Sequence, residues 1–219
     1  LEQAEELCQK GIHPKELESR LDLRDRDIFT IDGADSKDLD DAVSIEKTEK
    51  GWSLGVHIAD VSYYVTDQSP LDRCAFERGT SIYYADSVIP MLPKALSNGI
   101  CSLNPMEDRL TLSCLMELDE SGGLLSYTFE RSVIRSRVKG VYKEVNAILG
   151  DFAGEEILEK YHPLLPSIKL MGELARRLIA GRTSRGGLEL SSPEPKFVLD
   201  EEGRVLDILP RKRGLAECM

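Results

Sequence analysis

The apolar run Ile28-Phe-Thr-Ile31 predicts a short β-strand, and Ala42-Val-Ser-Ile45 predicts a second. The residues between them are almost all polar, so they form a loop between two strands, where polar side chains can converge. Trp52 to Val65 reads as one longer strand, with Leu54 to Val61 mostly apolar and β-branched. Leu110–Leu118 and Leu124–Val138 predict a hairpin around Glu120-Ser-Gly-Gly123. A smaller hairpin is expected from Lys196–Leu199 and Arg204–Leu209 across Asp200-Glu-Glu-Gly203.

Helical patterns occupy Pro70–Arg78, with proline near the N-terminal end, and Lys139–Leu149. Residues 154–180 read as one or two helices broken near Pro163 and Pro166, followed by a flexible connection over Arg182-Thr-Ser-Arg-Gly-Gly187. Residues 1–20 are polar and helical in two pieces, divided by Gly11 and Pro14, with Leu7, Ile12 and Leu17 as sparse apolar contacts. They read as a lead-in or linker. Strands come first and helices later, with hairpins in place of alternating βαβ units. The class is therefore α+β, a mixed or antiparallel sheet with packed helices.

Composition refines this picture only in part. A chain of 219 residues suits one domain or one and a half. Its 41% hydrophobic content is enough for a core despite 31% charged residues. The net charge is −11, with an isoelectric point near 4.9. Taken alone, that balance argues against a nucleic-acid partner, which usually leaves a basic footprint. A local anionic metal cluster can supply part of the excess, so the net charge does not exclude such a partner. The five cysteines are scattered with no C-x-x-C pair and read as reduced thiols. No apolar run is long enough to span a bilayer and no signal-peptide pattern is present, so no membrane association is expected and the cytoplasm is the default compartment. Both ends look cut: the chain opens at Leu1, and Gly214-Leu-Ala-Glu-Cys-Met219 reads like the start of a helix without a stop signal.

The chemistry concentrates between the first two strands. Asp32, Asp35, Asp38, Asp40 and Asp41 fall within ten residues, offset locally only by Lys37. Such crowding costs Coulomb repulsion and raises carboxyl pKa values unless a cation sits among them. Aspartate is also short, with less rotamer entropy to lose than glutamate. A merely solvated acidic loop fits less well, because apolar strands hold this one at the edge of the core. An EF-hand fails: from Asp38 the fifth and sixth positions are Ala42 and Val43, and from Asp32 the third is Ala34. A phosphatase Asp-x-Asp nucleophile matches Asp38-Leu-Asp40 in spacing, but Asp35-Ser-Lys37 stands where a strand is needed. A Mg2+ site for phosphoryl chemistry fits best, since Mg2+ combines carboxylates, phosphate oxygens and water in an octahedron.

Three blocks carry a resemblance to a known family: Arg20 to Val43, Gly55-Val-His-Ile-Ala-Asp-Val-Ser-Tyr-Tyr-Val65, and Arg78 to Pro105. Over residues 20–219, and less closely between 145 and 195, the chain resembles the RNB catalytic domain of the ribonuclease II family, most like its bacterial members. The resemblance implies residues 1–20 as lead-in and 21–219 as part of an RNB domain. It implies processive hydrolysis of RNA from the 3′ end to nucleoside 5′-monophosphates with Mg2+, and no organic cofactor. It also implies a single-stranded RNA 3′ end as partner and a monomeric intact enzyme. The family motif (Asp, five residues, Asp, one residue, Asp-Asp) maps onto Asp32, Asp38, Asp40 and Asp41. By resemblance these hold the metals, and one of the paired aspartates helps position the 3′-terminal nucleotide. Asp35 lies outside the motif.

The family also stacks the terminal bases between aromatic rings, positions that Tyr83 and Phe197 occupy here. His57 reads as strand packing and Asp60 as a support of the site. Arg131, Arg135, Arg137, Lys139 and Lys143 form one basic group, Arg176, Arg177, Arg182 and Arg185 another, and Arg211-Lys-Arg213 a third. Some of these are expected along an RNA channel, contacting phosphates without reading sequence. The family domain extends further and carries an Arg and a Glu that complete the active site. The segment given is therefore expected to hold the metal-binding half and to cut RNA poorly by itself. A non-catalytic RNA-binding or scaffold relative is the competing class, and the presence of all four motif aspartates argues against it.

Overall fold

The computed structural model describes residues 2–188, 195–210 and 213–219. Helices α1 (Glu2–Lys10) and α2 (Pro14–Ser19) lead into β1 (Leu21–Asp22), β2 (Ile28–Asp32), β3 (Asp41–Thr48) and β4 (Gly51–Ala59). Helices α3 (Val61–Tyr64) and α4 (Pro70–Arg78) come next, with the two-residue strands β5 (Ile82–Tyr83) and β6 (Val88–Ile89). The long strands β7 (Asp108–Asp119) and β8 (Leu124–Arg135) precede β9 (Lys139–Val141), α5 (Tyr142–Leu149), α6 (Glu155–Lys160) and α7 (Leu165–Ser184). A final hairpin pairs β10 (Pro195–Leu199) with β11 (Val205–Pro210).

Seven strands make one sheet in the order β1-β8-β7-β4-β3-β2-β9. The inner pairs are antiparallel, while β1 joins β8 and β9 joins β2 in parallel, so the sheet is mixed and the class is α+β. Strand alternation sends successive side chains to opposite faces. Phe29 and Val43 face a core closed by Val145 and Ile148 of α5 and by Ile168, Met171 and Leu174 of α7. Their neighbours Ile28 and Ala42 face a second core with Leu39, Leu103 and Ile134. A third cluster packs Leu110 and Val133 under Tyr64, Leu71, Leu96 and Ala4 of α1.

Several expectations from the sequence need correction. The strand from Trp52 stops at Ala59, not Val65. The Asp60 N–H still donates to the Leu110 carbonyl at 2.9 Å while its side chain pairs with Arg20, and α3 turns Tyr64 into the core. The first three residues of the helix expected from Lys139 form β9, paired with Thr30–Asp32. Gly140 permits this approach, because a Cβ there would collide with the Thr30 carbonyl oxygen. The break expected near Pro163 and Pro166 is present: Pro163 sits in a single 3-10 turn (His162–Leu164) between α6 and α7, and Pro166 lies in the first turn of α7. Helix α7 continues through Ser184, so Arg182–Ser184 are helical and not a flexible connection. Near the last residue a single 3-10 turn forms, over Ala216–Cys218. All five cysteines are free thiols. Among the described residues no helix is long and apolar enough to cross a membrane.

Candidate active site

Asp32 ends β2 and Asp41 opens β3, so the sheet itself positions both. The loop between them is fastened by a single apolar residue and a set of backbone contacts. Leu39 is 1% exposed among the second core's side chains, a burial worth roughly 1.5–3 kcal/mol. Its N–H donates to the Ser102 hydroxyl at 3.0 Å, and that hydroxyl donates to the Lys37 carbonyl at 2.9 Å. The Leu103 N–H donates to the Leu39 carbonyl at 2.8 Å, and the Ala59 N–H to the Asp40 carbonyl at 3.0 Å. From β9, the Lys139 ammonium donates to the carbonyls of Ala34 at 2.8 Å and Ser36 at 2.6 Å. The acidic loop is thus held largely through its main chain, so these contacts do not occupy its carboxylates.

Those carboxylates sense one another. Burial first, and then the charge of Asp41, push the Asp32 carboxyl up to about 6; Lys139 opposes the shift, while Asp38 and Asp40 add to it. The Asp40 carboxyl is also raised, by loss of solvent and then by Asp38 and Asp41. Among the described residues, no three His, Cys, Asp or Glu side chains close into a ready-made metal cage. Mg2+ does not require one, since it commonly takes one or two carboxylates and completes its shell with substrate phosphate oxygens and water. An all-oxygen donor set in which the Asp32 and Asp40 carboxyls are both raised by burial and neighbouring charge fits a hard divalent cation.

The structure brings Tyr83 to this cluster. Its hydroxyl donates to Asp38 Oδ2 at 2.8 Å, and its ring remains 64% exposed. Phe197 lies on the separate β10–β11 hairpin, 40% exposed, and among the described residues no ring contact joins it to Tyr83. The two hairpins nevertheless approach at their turns, where a Cβ at Gly203 would stand 3.8 Å from Asp86 Oδ2. Asp35 is exposed on the loop.

His57 is fully buried, with Nε2 3.0 Å from Ser44 Oγ and Nδ1 2.6 Å from Ser113 Oγ. Gly55 makes room for this arrangement, because a Cβ there would strike both Ser44 Oγ and the His57 ring. Burial would raise the Asp60 carboxyl, but the Ser62 hydroxyl and the Arg20 guanidinium reverse the shift and lower it. Asp60 therefore ties α2's end to the sheet and contacts none of the motif aspartates through its ion pairs.

Of the basic groups, Arg131 pairs with Glu16 and Asp60, Arg135 with Asp108, and Arg177 with Glu173. Arg211 and Lys212 lie outside the described residues. Among the described residues, Lys139 reaches the acidic loop from outside it, a role the sequence did not reveal because it depends on a pairing across more than a hundred residues. A cleft of about 930 Å3 beside Gly33–Ser36 is lined in part by Lys143, Lys196 and Phe152, and it too is assembled from distant segments.

Fold and site together define a carboxylate-bearing domain of the RNB type. The RNB domain family matches residues 20–219, and the chain belongs to that family. It is 50% identical to ribonuclease R of Thermotoga maritima over 208 residues, 94% of this chain and 29% of that protein. It is 47% identical to ribonuclease R 1 of Lactococcus lactis subsp. lactis over 221 residues, 100% of this chain and 27% of that protein. A solved structure of Mycoplasma genitalium RNase R in complex with ribose-methylated single-stranded RNA superposes with a TM-score of 0.91. It shares 32% identity and covers 99% of this chain and 33% of its own. The chain thus spans under a third of the length of these curated relatives.

Proposed function

We propose that this chain is the metal-binding part of a 3′-to-5′ exoribonuclease that degrades single-stranded RNA processively to nucleoside 5′-monophosphates with Mg2+. The observation that carries this reading is the crowding of Asp32, Asp38, Asp40 and Asp41 on a loop held rigid by Leu39, Ser102 and Lys139. Its family supports it, as do relatives named for ribonuclease activity. Asp32, Asp38, Asp40 and Asp41 would hold the cation, relieving their mutual repulsion. Bound there, Mg2+ supplies activation of the attacking water and stabilisation of the leaving oxygen. The exposed ring of Tyr83 offers a face on which any terminal base can stack, and Phe197 offers a second. Lys139 keeps the loop's carbonyls turned inward, so that carboxylates face the substrate.

The test uses the full-length protein and a 5′-labelled single-stranded oligoribonucleotide. Wild type converts it from the 3′ end to a short 5′-labelled end product in Mg2+, without accumulating intermediate lengths, and releases nucleoside 5′-monophosphates. Asp40→Asn lowers the rate about a thousandfold or more, the scale of several kcal/mol of lost charge stabilisation, and binds RNA with little change. If wild type and Asp40→Asn are equally inert while both bind RNA, the protein is a scaffold and this reading fails.

A further inference from the structure

The β5–β6 hairpin stands apart from the seven-stranded sheet, and residues 82–89 are all exposed. Its other hydrogen bonds are local: the Met91 N–H donates to Ser81 Oγ at 2.9 Å, Arg78 to the Pro90 carbonyl at 2.6 Å, and the Tyr84 N–H to the Ser87 carbonyl at 2.8 Å. Among the described residues, the bond from the Tyr83 hydroxyl to Asp38 Oδ2 is the hydrogen bond that ties this hairpin to the acidic loop. The same side chain therefore presents a ring to solvent and a hydroxyl to a motif carboxylate.

We propose that the Tyr83 hydroxyl is a latch that positions the hairpin against Asp38 in the cation-free site and competes with a divalent cation for that carboxylate. The proposal rests on the functional reading above for the cation. It adds a positioning role for a group that base stacking does not need. A carboxylate has a limited set of lone pairs, and Mg2+ demands near-ideal octahedral geometry from the oxygens it takes. An Asp38 turned toward a cation loses its alignment with the hydroxyl. Linkage makes the effect reciprocal: the factor by which the cation loosens the hairpin is the factor by which the latch weakens the cation. The ring and the hydroxyl are thus separable, with Tyr83→Phe keeping the first and removing the second.

The test uses the full-length protein without RNA and Mg2+ alone as the probe. Calorimetry gives the Mg2+ affinity, and amide hydrogen exchange over residues 80–91 gives the state of the hairpin. In wild type, Mg2+ speeds exchange in the hairpin. Tyr83→Phe exchanges fast without Mg2+, does not respond to it, and binds Mg2+ on the order of fivefold more tightly, the equivalent of one net hydrogen bond. Wild-type Mg2+ affinity in Tyr83→Phe, or a hairpin that responds to Mg2+ as wild type does, overturns the latch and leaves the proposed function standing. Identical Mg2+ isotherms for wild type and Asp40→Asn instead sink the cation site, and with it both proposals.

Discussion

His57 joins Ser44 to Ser113, and beyond Ser113 the hydroxyls of Ser132, at 2.5 Å, and Thr111, at 2.8 Å from Ser132, continue the chain through the sheet. A neutral imidazole donates from one nitrogen and accepts at the other, and hydroxyls can answer both. An imidazolium would have to donate twice, with a positive Arg26 in its field. Burial, and then Arg26, accordingly push its pKa down to about 4. The unfolded chain takes up a proton below about 6.5, while the native ring stays neutral until about 4. Stability is therefore lost as pH falls through that window, by ~3 kcal/mol at its lower end. Denaturant melts of wild type and His57→Asn between pH 7 and pH 4 check this. The variant is less stable at pH 7 by about 1–3 kcal/mol, through broken hydrogen bonds, and its pH slope in the window is shallower. Equal slopes in the two proteins place the titration elsewhere. The strand context of His57 was legible in the sequence, but its hydroxyl partners were not, because they arrive from two other strands, β3 and β7.

The acidic loop works as an element because β9 props it from outside. Lys139 opposes the rise of the Asp32 carboxyl and caps two loop carbonyls. Lys139→Met keeps most of the stem and removes the charge. The Asp32 carboxyl, followed by carbon-13 NMR, then titrates above its present value, and the cleavage rate of the full-length protein falls ten- to a hundredfold, roughly the penalty for an ångström-scale misplacement of reacting groups. An unmoved Asp32 titration removes Lys139 from the site. Elements set by local pattern were readable in advance: β2 and β3 from their apolar runs, α4 from its proline start, and β7–β8 from Ser-Gly-Gly at its turn. The spacing of the aspartates was readable for the same reason. Elements set by distant partners were not. Strand β9 is three residues long and exists only because Thr30–Asp32 and the missing side chain of Gly140 receive it. Helix α7 outruns the Gly-Arg-Thr-Ser pattern at its end, where the Thr183 and Ser184 hydroxyls bond back to the carbonyls of Ile179 and Gly181.

A net charge of −11 describes the whole molecule poorly, because it averages two different arrangements. Many acids are neutralised in place, as Asp108 is between Arg24 and Arg135, and Glu16 between Arg20 and Arg131. The acidic loop is not. Asp32 holds its proton up to about 6 in the native state, against 3.8 for an ordinary aspartate, so over that interval the folded protein binds more protons than the unfolded chain. This contribution disfavours folding increasingly as pH rises from 3.8 through 6, and Asp40 acts in the same direction. A cation that binds the folded loop reverses the penalty, and protons compete with it. At a hundred times its Kd, Mg2+ adds ~2.7 kcal/mol to the folded state that binds it. Scanning calorimetry of the full-length protein at pH 7.5 and pH 5 tests the linkage: the Mg2+ shift is larger at pH 7.5, and Asp40→Asn reduces it. Sodium chloride at matched ionic strength separates binding from screening, which acts on every exposed charge alike. Equal shifts from the two salts, or equal Mg2+ shifts at the two pH values, would assign the stabilisation to general screening of an acidic protein and not to the loop.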